Sequence, residues 1–131
     1  MKNKFKLATV GLLFAAFSPF VSQPGTAQDP AKVAPKIVKV LLENYRVRVL
    51  EIRANPGEKL PMHSHPAHAV YTLTPIKGRN ISRQGEITEF EAKRGTVGWS
   101  EPLTHITEYQ GNTENHLILV ELKELPKEKQ R

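Results

Sequence analysis

The chain has 131 residues, of which 39% are hydrophobic and 24% are charged. This length suits one domain and leaves no room for separate catalytic and substrate domains, and the composition excludes a disordered chain, a collagen or a membrane bundle. The chain contains no cysteine, which excludes a disulfide scaffold, a thiolate nucleophile and a cysteine zinc site. Any metal or nucleophile chemistry must therefore use histidine, carboxylate or hydroxyl groups.

The N-terminal segment has the organisation of a secretory signal peptide. Three lysines precede an apolar run over residues 7–21, and small residues follow at Gly25-Thr26-Ala27. The apolar run is shorter than the roughly 20 residues that span a bilayer, which disfavours the alternative of an uncleaved membrane anchor. We therefore expect residues 1–27 to be removed, and the mature protein to be periplasmic or secreted, without stable membrane insertion.

The charge balance depends on this segment. The whole chain carries 19 basic and 13 acidic residues, a net charge of +6. Residues 1–27 contain three lysines and no acid, so the mature chain has 16 basic and 13 acidic residues, a net charge of +3. A nearly neutral, exported protein is not expected to bind nucleic acid.

The rest of the chain predicts an all-β domain. Short segments rich in β-branched, aromatic or alternating residues are separated by turn signals about every 8 to 12 residues, as in a sandwich or barrel. The predicted strands cover residues 37–42, 47–54, 69–74, 80–83, 87–91, 97–100, 104–110 and 115–122. The domain spans residues 37–125, after a flexible lead-in over residues 28–36 and before a charged tail over residues 126–131.

A cluster of histidines is the most informative feature of the sequence. Three of the five histidines lie in the run Met62-His63-Ser64-His65-Pro66-Ala67-His68. Two positions apart, His63 and His65 would share one face if they lay on a strand, and two neutral imidazoles there could hold a cation. His105, on a predicted strand, is the candidate third ligand, because a neighbouring antiparallel strand can bring it within reach. The alternative is that His-x-His is only a solvated polar turn.

Two stretches resemble the sequence motifs of the cupin superfamily. From Gly57 the chain has five residues and then His-x-His, as in the first motif, and Gly95 leads to Pro102-Leu103-Thr104-His105, which is similar to the second. The resemblance is to a small single-domain cupin. It implies a double-stranded β-helix, or jelly-roll barrel, with a pocket in its mouth. In metal-binding members, iron, manganese, nickel, zinc or copper is held there by three histidines and one glutamate.

This resemblance implies that the metal ligands are His63, His65 and His105. The glutamate of the first motif is expected four or five positions after the second histidine, where this chain has Ala69 and Val70. The usual carboxylate ligand is therefore missing, and a three-histidine site with water in its open positions remains.

His68 is the candidate replacement for the missing glutamate. Its odd spacing from the earlier histidines would turn it away on a regular strand, but Pro66 breaks that regularity. The alternative is that His68 lies on the surface or supports another ligand. His116 is expected at the surface, and Glu108 is expected to point away from His105, toward solvent or a supporting position.

Three further residues are candidates for the pocket wall. Tyr71, Trp99 and Met62 are expected in the barrel interior, where they either fill the core or contact a small ligand.

These features predict an exported small cupin that binds a divalent transition metal and acts on a small organic molecule by dioxygenase, isomerase or lyase chemistry. The alternative is a binding module that holds a small ligand without chemistry, since one fold hosts many functions. A homodimer is expected, because an open sandwich leaves sheet edges that must be covered.

Overall fold

The computed structural model of the protein describes residues 28–125. This part of the chain forms one short helix and nine strands, in two antiparallel sheets whose inner faces enclose a single interior. The elements are α1 (Pro30–Val33), β1 (Val38–Glu43), β2 (Val47–Ala54), β3 (Lys59–His65), β4 (His68–Thr72), β5 (Ile76–Ser82), β6 (Ile87–Ala92), β7 (Val97–Ser100), β8 (Leu103–Tyr109) and β9 (Asn115–Leu122). The first sheet has the order β1-β2-β9-β4-β7 and the second β3-β8-β5-β6. The predicted all-β jelly roll is confirmed.

The sequence pattern located eight of these strands and missed β3. That strand begins at Lys59, contains Pro61 and ends in His-Ser-His, so it lacks the β-branched and aromatic residues that identify strands. It is an edge strand, where proline is tolerated, and its pairing with β8 shifts register between Leu60 and His63. Tertiary pairing, and not local propensity, makes this segment a strand.

The inner face of the first sheet changes from polar to apolar along the strands. The register places Arg48, Glu121, His68 and Ser100 in one row across four neighbouring strands. The next inward row contains Leu50, Leu119 and Val70, and the buried core continues through Ile52, Leu117 and Leu60. One end of the barrel is therefore lined by polar side chains, while the rest is a hydrophobic core.

The N-terminal segment differs from the flexible lead-in that its composition predicted. Asp29 caps α1 by accepting a hydrogen bond from the Ala31 amide, and Pro30 and Ala34 are buried. The Gln28 carbonyl accepts a hydrogen bond from the Ser64 amide at 2.9 Å, on the edge of β3 that faces away from β8. The segment is ordered because it covers an otherwise unpaired sheet edge.

The outer face of the five-stranded sheet is unusually apolar. Trp99, Ala69, Val120, Val49 and Leu42 are successive register partners across all five strands. Trp99 and Leu42 are exposed at the two ends of this row, while the three residues between them are half-buried.

The predicted signal peptide, residues 1–27, and the charged tail, residues 126–131, lie outside the described residues. Within residues 28–125, no helix is long and apolar enough to cross a membrane.

Close packing at Gly78 provides a test of the four-stranded sheet. A Cβ atom at Gly78 would collide with the Glu108 carbonyl oxygen and lie 2.6 Å from Cζ of Phe90, whereas one at Gly98 would meet nothing within 4 Å. We expect Gly78→Ala to lower the free energy of unfolding by about 1–3 kcal/mol. Gly98→Ala, also in a strand, is the control and should change it far less. Urea denaturation measures both, and equal effects would contradict the packing described.

Candidate metal centre

Three histidines meet at the polar end of the barrel. His63 on β3 lies directly opposite His105 on β8, and His65 follows on the same inward face of β3. All three are buried, and one potential ligand atom from each lies within 4.8 Å of the others. The structure therefore brings together the three residues that the sequence proposed as ligands, in a group that could bind a metal ion.

Neighbouring acceptors select the proton position on two of these rings. The Nδ1–H group of His63 donates to the Pro61 carbonyl at 2.7 Å, and that of His65 donates to Oε1 of Glu121 at 2.6 Å. A neutral imidazole that is protonated on Nδ1 has its lone pair on Nε2. Both rings are thus held in the tautomer that offers Nε2 as a ligand.

His105 has an unusual environment for a buried polar side chain. Neither of its ring nitrogens has a hydrogen-bond partner among the described residues, although both are inaccessible to solvent. Leaving a buried polar group unpaired costs about 1–3 kcal/mol. A metal ion bound between His63, His65 and His105 would satisfy one of these nitrogens, so the residues present fit the metal that the sequence resemblance implies.

The protonation states also suit a metal. Burial lowers the pKa of His63 to about 4, an effect partly opposed by its hydrogen bond to Pro61. Burial, together with the three neighbouring imidazoles, lowers the pKa of His105 to about 3. Both rings are therefore neutral near pH 7, which is the form that binds metals.

His68 faces the same cavity from the other sheet. The chain leaves β3 after His65 and crosses at Pro66 into β4, so the change of sheet turns His68 inward despite its odd spacing. Its Nδ1–H donates to the Pro66 carbonyl at 2.8 Å, and its ring centre lies 4.9 Å from that of His65. Burial lowers its pKa. His68 is not part of the three-histidine group, and its role as a ligand stays a prediction.

Two features of the centre were not predicted from the sequence. The first is a local Pro-x-His motif. In both Pro61-Met62-His63 and Pro66-Ala67-His68, the histidine donates to the carbonyl of the proline two positions earlier. The second is Glu121, a buried acidic residue that continues the inward series Asn115, Leu117 and Leu119 on β9. Periodicity alone could have placed Glu121 inside, but not beside His65.

The prediction that Tyr71 and Trp99 face the interior is wrong. Their side chains are 46% and 56% exposed, on the outer face of the sheet. The register explains this, because their neighbours Val70 and Ser100 point into the cavity and successive strand residues point to opposite faces. Met62 is half-buried beside the register shift in β3 and does not line the cavity.

The two residues that were expected to have no ligand role lie away from the centre. Glu108 pairs with Arg79 at 2.5 Å and with Lys59 at 3.6 Å. His116 is hydrogen-bonded through Nε2 to Glu51 at 2.8 Å. Neither lines the cavity.

The cavity beside the histidines is small and mostly apolar. Its volume is about 220 Å³, and its other polar wall groups come from Ser100, Asn80 and Thr107. The remaining wall residues are Ile52, Leu60, Val70, Ile76, Phe90, Leu103, Tyr109, Leu117 and Leu119. No lysine or arginine of residues 28–125 lines it. Since an apolar cavity of about 150 Å³ holds benzene, this one accommodates a molecule of about one ring.

Comparison with known proteins agrees with this geometry. No family model and no curated protein matches the sequence. Among solved structures, a cupin domain from Bordetella pertussis is 25% identical, with a TM-score of 0.60 over 67% of this chain and 93% of that one. An RmlC-like cupin with a double-stranded β-helix fold from Methanocaldococcus jannaschii is 13% identical, with a TM-score of 0.51 over 66% and 78% of the two chains.

A third similar structure is the polyketide cyclase RemF from Streptomyces resistomycificus. It is 20% identical, with a TM-score of 0.50 over 68% of this chain and 66% of that one, which is a likeness of fold. These neighbours agree with the two antiparallel sheets and with the inward histidine cluster at one end of the barrel. The chain has the fold of a small cupin.

Proposed function

We propose that the protein is an exported small cupin that binds a divalent transition metal through His63, His65 and His105 and acts on a small organic molecule. The observation that carries this proposal is the buried His105 ring, whose two nitrogens have no partner among residues 28–125. A set of three imidazoles suits iron, nickel, copper or zinc better than manganese, which prefers oxygen ligands. Export rests on the signal-peptide pattern of residues 1–27.

The cavity residues have distinct tasks in this proposal. When bound, the metal would supply Lewis acidity at the polar end of the cavity. Oδ1 of Asn80 accepts from Thr107, so Asn80 offers its amide N–H groups to an oxygen of the substrate. His68, neutral and with its Nδ1–H engaged, offers the Nε2 lone pair as a proton acceptor. The apolar walls exclude water and hold the hydrocarbon part.

A second candidate function is a binding module that holds such a molecule without catalysis. The observation that favours it is the position of the first-motif glutamate, which Ala69 and Val70 occupy here. Oxygen uptake or product formation over a panel of phenols and diketones by the metal-loaded protein separates the two functions. Binding without turnover would support the module.

The ligand assignment predicts the metal content of single variants. His63→Ala, His65→Ala and His105→Ala should each weaken metal retention at least tenfold, because two imidazoles hold a divalent ion poorly against water. His116→Ala is the matched control and should retain as much metal as the wild type. His68→Ala should resemble the first three variants if His68 is a ligand, and the control if it is not.

The measurement is elemental analysis after reconstitution with each of the five metals and dialysis without chelator. If the wild type keeps well under half an equivalent of every metal, the metal centre is wrong and the metal-free binding module is the better account.

The lowered histidine pKa values predict acid sensitivity of the metal-free protein. In the unfolded chain a histidine titrates near pH 6.5, whereas the pKa is about 4 for His63 and about 3 for His105 in the fold. Below pH 6.5 the unfolded state therefore binds protons that the folded state does not. Stability should be constant above this pH and fall below it, by up to about 1.4 kcal/mol per pH unit for each histidine.

Urea denaturation in a chelator from pH 7.5 to 5 measures this slope. The double variant His63→Gln with His105→Gln removes both titrating groups and should reduce the slope. A wild-type stability that stays flat or rises toward pH 5 would show that these rings are not kept neutral by burial.

We further propose that the protein is a homodimer formed through the apolar outer face of the five-stranded sheet. Trp99 lies at one end of the apolar row and is 56% exposed, and its indole N–H donates to Oε1 of Glu101 at 2.7 Å. An apolar face of this extent is a common mark of an interface between subunits, and a twofold axis allows the same face to serve both copies.

This assembly predicts different effects for two exposed apolar residues. Trp99→Glu should convert a dimer into a monomer at about 100 μM protein, because a charge would be buried without a partner. Ile87, 58% exposed on β6 of the other sheet, provides the control, and Ile87→Glu should remain dimeric. Light scattering coupled to gel filtration gives both masses. A monomeric wild type would refute the proposal.

A further inference from the structure

We propose that Glu121 is a positioning residue for the centre: it holds His65 in the Nδ1–H tautomer, and the N-terminal segment, through Asp29, positions the Arg48 charge opposite Glu121. Its expected effect on metal affinity rests on the proposed function. The tautomer of His65 does not, because it is a property of the metal-free protein.

The contact between Glu121 and His65 joins two buried groups. Glu121 is only 3% exposed, and its Oε1 lies 2.6 Å from Nδ1 of His65. An ionised carboxylate can only accept a hydrogen bond, so Nδ1 of His65 carries a proton, and in the neutral ring Nε2 carries the lone pair. On an imidazole these two nitrogens point away from each other, which places Glu121 behind the ring and Nε2 in front of it. This is the geometry of a group that orients a ligand.

Glu121 is a carboxylate near the centre, but it comes from another part of the fold than the glutamate of the first motif. It lies on β9, directly opposite His68 on β4, whereas Ala69 and Val70 occupy the positions where the motif expects glutamate. The group of potential ligand atoms around His63 contains the three histidines without Glu121. The carboxylate therefore acts through His65.

A buried carboxylate is stabilised by a nearby positive charge, and Arg48 carries the charge that faces Glu121 across the strands without a direct ion pair. Arg48 lies opposite Glu121 in the β2–β9 register, where the two opposite charges attract. Nη2 of Arg48 also donates to Oδ1 of Asp29 at 2.7 Å, with both side chains largely buried. Arg48 thus has an acidic residue on each side.

Asp29 connects this series to the N-terminal segment. The same carboxylate oxygen that pairs with Arg48 caps α1, and the preceding residue, Gln28, is hydrogen-bonded to the amide of Ser64 between the two histidines of β3. The series Asp29, Arg48, Glu121 and His65 therefore runs from the segment expected to be flexible to a proposed ligand. Residues 28–34 therefore help to position the residues of the centre.

The first experiment measures the tautomer without any metal. Long-range ¹H–¹⁵N correlation spectra of the metal-free, full-length protein should show His65 protonated on Nδ1. In Glu121→Leu this preference should be lost, and Glu121→Gln, which can still accept through its amide oxygen, should keep it. Glu51→Gln is the matched control, because Glu51 makes a similar contact to His116 on the outer face of the same sheet.

The second experiment titrates the same variants with Co²⁺ and follows its visible absorption. We expect Glu121→Leu to bind Co²⁺ about 10- to 100-fold more weakly than the wild type, with Glu121→Gln between the two. Asp29→Asn should weaken binding a few-fold, because it loosens Arg48 beside Glu121. Glu51→Gln should match the wild type.

The outcomes separate this inference from the proposed function. If no Co²⁺ binds but the tautomer of His65 depends on Glu121 as described, the metal function fails and the inference stands. If Co²⁺ binds equally well to the wild type and Glu121→Leu, the inference fails and the metal function stands. A wild-type His65 protonated on Nε2 and not on Nδ1 overturns the inference, even if Glu121→Leu does not fold. X-ray absorption showing that Glu121→Gln removes an oxygen ligand from Co²⁺ would also overturn it, because Glu121 would then be a ligand.

Discussion

The pairing of β3 with β8 is the interaction on which the candidate centre depends. It places His63 directly opposite His105 and brings His65 onto the same inward face. Yet within residues 28–125 β3 has β8 as its only strand neighbour, and it contains a proline and shifts register before His63. The backbone contact from Gln28 to Ser64, on the opposite edge, supports the strand where its own sequence is weakest. The ordered N-terminal segment and the histidine cluster are therefore two aspects of one constraint.

The second constraint is that the polar atoms of a buried imidazole need hydrogen-bond partners. His63 and His68 satisfy their Nδ1–H groups with proline carbonyls two residues earlier, so these contacts are set by local chain geometry. His65 uses a carboxylate that is remote in sequence, and His105 uses no described protein group at all. The centre is therefore asymmetric. His63, His65 and His68 each have a partner for Nδ1, whereas neither ring nitrogen of His105 has one among the described residues.

The sequence predicted the all-β fold, eight strands and the three clustered histidines, because alternation and His-x-His spacing are local patterns. It failed where long-range contacts decide. Composition indicates flexibility for residues 28–36, but Asp29 finds Arg48 19 residues away, and Glu121 is 56 residues from His65. Because aromatic residues usually fill cores, Tyr71 and Trp99 were expected in the interior. The strand register turns both side chains outward. Register follows from pairing, and pairing is not a local property.

On strand β9, one alternating series of inward residues contains both core residues and a residue of the candidate centre. Its inward residues begin with Asn115, whose side chain accepts from the Lys77 amide and donates to the Gln110 carbonyl, closing the end of the barrel opposite the histidines. Leu117 and Leu119 follow in the core, and Glu121 ends the series at the polar row. Hydrophobic burial in the middle of the strand offsets the desolvation of the charge at its end. A buried carboxylate can therefore be kept beside a proposed ligand, because the same strand that carries it is central to its sheet and paired on both sides.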